Sequence, residues 1–206
     1  MNITRKHSGL IWILNKLCEV LPVFFWVFLI FGFDEPLMAV MTIISAIIHE
    51  CGHIGYIIIK KGLKPSIRGV ISGFRIKTGA GLSYDDEIGI YLSGPSANLI
   101  AFVLLSLLAL PFGKPAALCA IINLATAISN LLPIEGYDGY GALVAAMNRG
   151  DVREEAMRRL YLVSCTLIVL LCIISLYFID RQGEGYWIFI IFFISMIKCI
   201  SKCVDQ

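Results

Sequence analysis

Six apolar stretches separated by short charged connectors run along this chain. The first ends at Phe33 and begins between Gly9 and Val20; its early part, with Lys16 and Glu19, suits the membrane interface. The second covers about 36–59, and Pro36 is well placed for a first helical turn. The third covers about 88–110, the fourth about 116–132 and the fifth about 160–179. A short, aromatic-rich sixth runs from 186 to about 200. The clearer stretches approach the roughly 20 residues that a helix needs to cross a bilayer. The pattern therefore predicts an all-α polytopic membrane protein with six transmembrane helices.

Two connectors are long enough to have structure of their own. Between 61 and 86, the apolar residues of Val70–Thr78 are followed by Gly79, Ala80 and Gly81, which predicts a small β-hairpin between the second and third helices. The stretch 140–159 reads as a charged helical connector.

Composition agrees with this plan. Of 206 residues, 58% are hydrophobic and 16% charged, and the mean hydropathy is +0.83. That excludes an ordinary soluble globule. Roughly two thirds of the chain is needed for the spans, which leaves no room for a separate soluble domain. One domain, 1–206, is expected, with a core at about 36–139 and additional helices at about 160–200.

Charge sets the orientation. With the N-terminus in the cytoplasm, fifteen of the 17 Lys and Arg residues fall on the inner side, and only Lys114 and Arg181 fall outside. So strong a positive-inside bias implies an even number of spans and two cytoplasmic termini. The seven cysteines include no C-x-x-C pair and lie mostly in apolar segments, so they are expected to be small buried hydrophobes rather than a disulfide framework. Cys51 is expected to pack in the same way.

The chemistry concentrates in the second stretch, at His49-Glu50-Cys51-Gly52-His53. On a helix, H-E-x-x-H puts two imidazoles one turn apart on one face, where both reach a single zinc ion. The glutamate beside the first histidine is then placed as a general base. A carboxylate inside a bilayer costs roughly 2.5–3.5 kcal/mol even on lenient scales, so it marks a functional site. From His53 to Lys60 the helix rises about 10 Å, which places the site nearer the cytoplasmic face.

A catalytic zinc usually takes three protein ligands. His7, the only other histidine, sits beside the basic N-terminus and is a poor partner for a site in the bilayer. A carboxylate near the inner face is needed instead. Residues 130–139 offer Glu135 and Asp138, on a segment that Pro133, Gly136 and Gly139 make irregular. Charge alone does not separate the two. Gly94 and Pro95, at the start of the third span, provide a kink and close helix approach. Asn98 and Asn130 read either as polar pairs across helices or as donors to a substrate backbone or oxyanion.

Three motifs occur in order: His49-Glu50-Cys51-Gly52-His53, Gly94-Pro95-Ser96-Ala97-Asn98, and Asn130…Pro133…Asp138-Gly139. In these the chain resembles the site-2 proteases, the zinc intramembrane metalloproteases, and within them a minimal form of the branch of the sporulation sigma-factor processing protease. The resemblance implies one catalytic zinc held by His49, His53 and Asp138, with Glu50 as general base. It implies an endopeptidase of a bacterial cytoplasmic membrane acting on membrane-associated substrates such as a pro-transcription factor, an anti-sigma factor or a small peptide precursor. Nucleic acid is not an expected partner. The competing reading is a non-proteolytic zinc-binding membrane protein or transporter. Against it, Glu50 has no task in transport, and the chain carries no repeat of transporter type.

One departure from the family stands out. Members often carry a second proline two residues before the aspartate, where this chain has Gly136. If the backbone there suits proline, Gly136→Pro is expected to stabilise the loop by roughly 0.4–1 kcal/mol; if φ is positive or the N–H is bonded, proline is expected to disrupt the site.

Overall fold

The computed structural model describes residues 36–62, 66–70, 73–77, 81–150 and 154–182, and in the C-terminal stretch 189–190, 192–197 and 199. The first expected span lies outside the described residues. Five helices and a strand pair follow in order: α1 (Pro36–Lys61), β1 (Ser66–Val70), β2 (Gly73–Lys77), α2 (Tyr84–Phe112), α3 (Lys114–Leu131), α4 (Asp138–Arg149) and α5 (Glu154–Gln182).

Among the described residues, α1, α2, α3 and α5 are long and apolar enough to cross a membrane. They match the second to fifth expected spans. The sixth is only partly described; residues 189–190 and 192–197 are helical.

The packing is the inverse of a soluble protein's. The buried polar side chains include Ser45, His49, His53, Asn98, Asn123 and Ser164, whereas Leu104, Leu107, Leu110 and Phe112 of α2 and Ile173, Tyr177 and Phe178 of α5 face outward. Exposed apolar area of that extent is stable only against lipid, and polar groups collect inside where they find partners. The chain is an integral membrane protein.

Helix ends follow local chemistry. Ser83 caps α2, accepting from the Asp86 N–H while the Asp86 side chain accepts from Ser83 N–H. Asp85, Asp86 and Glu87 then sit in a first turn where the helix dipole favours acids. This is why α2 starts at Tyr84, before the apolar stretch begins. At its other end, Gly113 with φ +67° is the one residue between α2 and α3. Pro133 pushes the residue before it out of the helical region, and Leu132 is extended at φ −63° and ψ 143°, which ends α3 at Leu131.

Three expectations change. The 140–159 connector is not one helix: α4 begins earlier, at Asp138, and ends at Arg149, while residues from Glu154 belong to α5. The β1–β2 pairing is antiparallel with Val70 opposite Gly73, so both paired strands lie ahead of the glycines of 79–81. Among the described residues, cysteines behave in three ways, while Cys18 and Cys203 lie outside them. Cys119 and Cys172 are buried and free as expected, Cys51 is exposed, and Cys165 of α5 is disulfide-bonded to Cys199. The apolar spacing of single cysteines carries no sign of that pairing, because it depends on how α5 meets the C-terminal stretch. Around it, Ile134, Ile168, Cys172 and Cys199 form a core that ties the loop after α3 to α5.

Candidate metal centre

α1 presents His49 and His53 on one face, and α2 crosses that face at very short range. A side chain at Gly52 would run into the Ser93 carbonyl and Ala97, and one at Gly94 would run into the rings of His53 and His49. The two glycines let the helices approach until backbone groups of α2 reach the imidazoles. Pro95, fully buried, lacks the N–H that would bond the preceding turn. In that turn the Ile90 carbonyl accepts from Ser93 Oγ at 2.6 Å and from His53 Nδ1 at 2.7 Å.

These contacts decide where the imidazole protons lie. The Ile90 carbonyl can only accept, so His53 carries its proton on Nδ1. Asn98 Nδ2 donates to the Ser45 carbonyl at 3.0 Å, which turns Asn98 Oδ1 towards His49 Nδ1, 2.8 Å away. His49 is therefore also protonated on Nδ1. Both Nε2 atoms then present lone pairs, and they face each other at 3.1 Å.

Asp138 completes the group. The turn at 134–137 closes with Tyr137 N–H donating to the Ile134 carbonyl at 2.9 Å. Gly136, at the third position of that turn, has φ +97°. A hydrogen-bonded turn with positive φ there follows the type II pattern, which favours glycine. Glu135 N–H donates to Ser164 Oγ of α5 at 2.7 Å, and Ile134 is fully buried. The loop is thus fixed from both sides before α4 starts. Next to Asp138, Gly139 lies so close to the Leu131 carbonyl that no side chain fits.

Asp138 Oδ2 stands 2.9 Å from His49 Nε2 and 3.3 Å from His53 Nε2, yet it has no hydrogen-bond partner. The tautomers explain this, since neither Nε2 has a proton to give. Three electron-pair donors converge in a buried place with nothing positive between them. Ligands at about 2.0–2.1 Å from a tetrahedral zinc stand about 3.3 Å from one another. Spacings of 2.9, 3.1 and 3.3 Å are those of such a face, slightly contracted. The donor set, two neutral imidazoles and one carboxylate, fits a zinc site.

His49, His53 and Asp138 can hold a metal, and Glu135 is not among them. Glu50 is partly buried on α1. Asn98 is fully buried, and its amide hydrogens go to Ser45 and Asn123. Asn130, partly buried near the end of α3, donates to the Thr126 carbonyl at 3.0 Å. The residue that the sequence reading passed over is Asn123, also fully buried. A lone asparagine in mid-span was its signal, because such a group needs a partner inside the bundle.

Among solved structures, the chain is similar to a site-2 protease from Methanocaldococcus jannaschii, with 15% identity and a TM-score of 0.62 over 90% of this chain and 87% of that one. The fold is that of a site-2 protease. No protein-family model and no curated protein matches the chain.

Proposed function

We propose that the chain is a zinc-dependent intramembrane endopeptidase of the site-2 protease family. The observation that carries the reading is the convergence of His49 Nε2, His53 Nε2 and Asp138 Oδ2 inside a helix bundle that has the fold of such a protease. A bound zinc supplies Lewis acidity, lowering the pKa of water and polarising the scissile carbonyl.

The chain's own residues do the rest. Glu50, one position from His49, takes the proton of the attacking water and hands it to the leaving amine. Asn130 has a second amide hydrogen beyond its bond to Thr126, and it serves as donor to the substrate backbone or the oxyanion. Asn98, with its hydrogens occupied, instead orients His49. Because β1 and β2 form a two-stranded sheet among the described residues, each strand has an open edge. A substrate segment added there is held extended, as cleavage of a helical substrate requires. The positive-inside bias places this hairpin, the site and both termini towards the cytoplasm.

The test is Glu50→Gln. It should abolish cleavage of a co-expressed membrane substrate while keeping zinc near one per chain, and it should trap bound substrate for identification. Cleavage at the wild-type rate in Glu50→Gln, or no zinc in the wild-type protein, would overturn the reading.

A further inference from the structure

We propose that Asn123 of α3 is a positioning residue for the metal site, holding the tautomer of His49 through Asn98. The inference rests on the zinc-site reading and extends it two residues beyond the ligands.

The hydrogen bonds run in one direction. Asn123 Nδ2 donates to the Cys119 carbonyl at 2.8 Å, an acceptor that cannot change role. Asn123 Oδ1 is therefore turned to Asn98 and accepts from its Nδ2 at 2.8 Å. Asn98 Nδ2 also donates to the Ser45 carbonyl at 3.0 Å and lies 3.1 Å from Ser45 Oγ. Asn98 Oδ1 then accepts from His49 Nδ1, leaving the His49 Nε2 lone pair for the metal.

The alternative amide orientation identifies what Asn123 does. An Asn98 flipped by half a turn would present N–H to His49 Nδ1, moving the imidazole proton to Nε2 and removing a ligand. In that state its oxygen would face the Ser45 carbonyl and Asn123 Oδ1, two acceptors with nothing to donate, and Ser45 Oγ, whose hydrogen is engaged with Thr126 Oγ1 at 2.8 Å. Asn123 thus supplies one of two repulsions that keep Asn98, and with it His49, in the ligating form. Water cannot relieve the flipped state, because Asn98 and Asn123 are both 0% exposed. A residue serving only to glue α3 to its neighbours would need no particular amide direction at Asn98.

Zinc dissociation constants, measured in detergent by chelator competition, test this. Asn123→Ala should weaken zinc by about 10- to 100-fold, the usual effect of losing an outer support. Asn123→Asp should restore affinity to within about twofold, because a buried, protonated carboxyl offers the same donor and acceptor. Combined with Asn98→Ala, Asn123→Ala should add nothing further, since both act through one path. Nitrogen NMR of metal-free protein should find His49 protonated on Nδ1 in the wild type and partly on Nε2 in Asn123→Ala. Wild-type zinc affinity and tautomer in a folded Asn123→Ala, or full additivity with Asn98→Ala, would overturn the proposal. Absence of zinc from the wild type would instead overturn the metal-site reading beneath it.

Discussion

Gly94 of α2 lies against the Nε2 edge of His53, with no room for even a methyl group between them. The same added methyl would also press on the His49 ring. Gly94→Ala should therefore leave a folded bundle, at an overpacking cost of about 1–3 kcal/mol, but displace both imidazoles and lower zinc affinity by at least tenfold. Gly55→Ala is the control, because a methyl there meets nothing within 4 Å. It should keep zinc and, by helix propensity, add up to about 1 kcal/mol. Chelator competition and thermal unfolding of the two variants check this pair.

The choice of carboxylate is separately testable. Asp138→Ala should lose most of its zinc, since it removes the only acidic member of the converging group. Glu135→Ala should retain full stoichiometry, because Glu135 is not in the converging group and its backbone N–H bond to Ser164 Oγ survives the substitution. Zinc analysis of the purified variants decides it, and the opposite pattern would move the third ligand to Glu135.

How far the sequence revealed this site depends on the kind of relation involved. His49 and His53 are one helical turn apart, so periodicity alone put them together. Asp138 reaches them only because Pro133 ends α3 and a turn through Gly136 redirects the chain, and that path has no period to read. Charge left Asp138 and Glu135 equal; the family resemblance favoured Asp138. The four described spans were legible because twenty apolar residues have few other uses. α2 starts ahead of its apolar stretch because its first turn is acidic, which a hydropathy reading leaves out although the helix dipole favours it. The partner of Asn123 and the Cys165–Cys199 bond depend on how distant segments meet, which no local pattern encodes.

Orientation has its own experiment. The division of Lys and Arg places the α2–α3 turn outside and the connectors at 64 and 153 inside. In single-cysteine variants, an impermeant thiol reagent added to intact cells should mark position 114 and leave positions 64 and 153 untouched. Labelling at 64 would invert the topology and carry the metal centre to the opposite leaflet.

Gly136 meets the condition under which proline is expected to disrupt the loop. A proline two residues before the aspartate is common among site-2 proteases, and a proline-compatible backbone would have made Gly136→Pro stabilising. Here φ is +97°, whereas the proline ring holds φ near −65°. Proline cannot occupy this turn without rebuilding it, and the turn sets the direction in which Asp138 leaves Tyr137. Gly136→Pro should therefore lose zinc and activity together. Gly136→Ala separates backbone strain from crowding: no atom lies within 4 Å of its added methyl, so only the positive φ is penalised. That cost is about 1–2 kcal/mol, which should lower the unfolding temperature while leaving zinc stoichiometry intact. Gly136→Asn, whose side chain tolerates positive φ better, should fall between glycine and alanine. Full zinc occupancy in Gly136→Pro would mean that the loop takes a negative φ at this position and reaches Asp138 by the family's proline geometry instead.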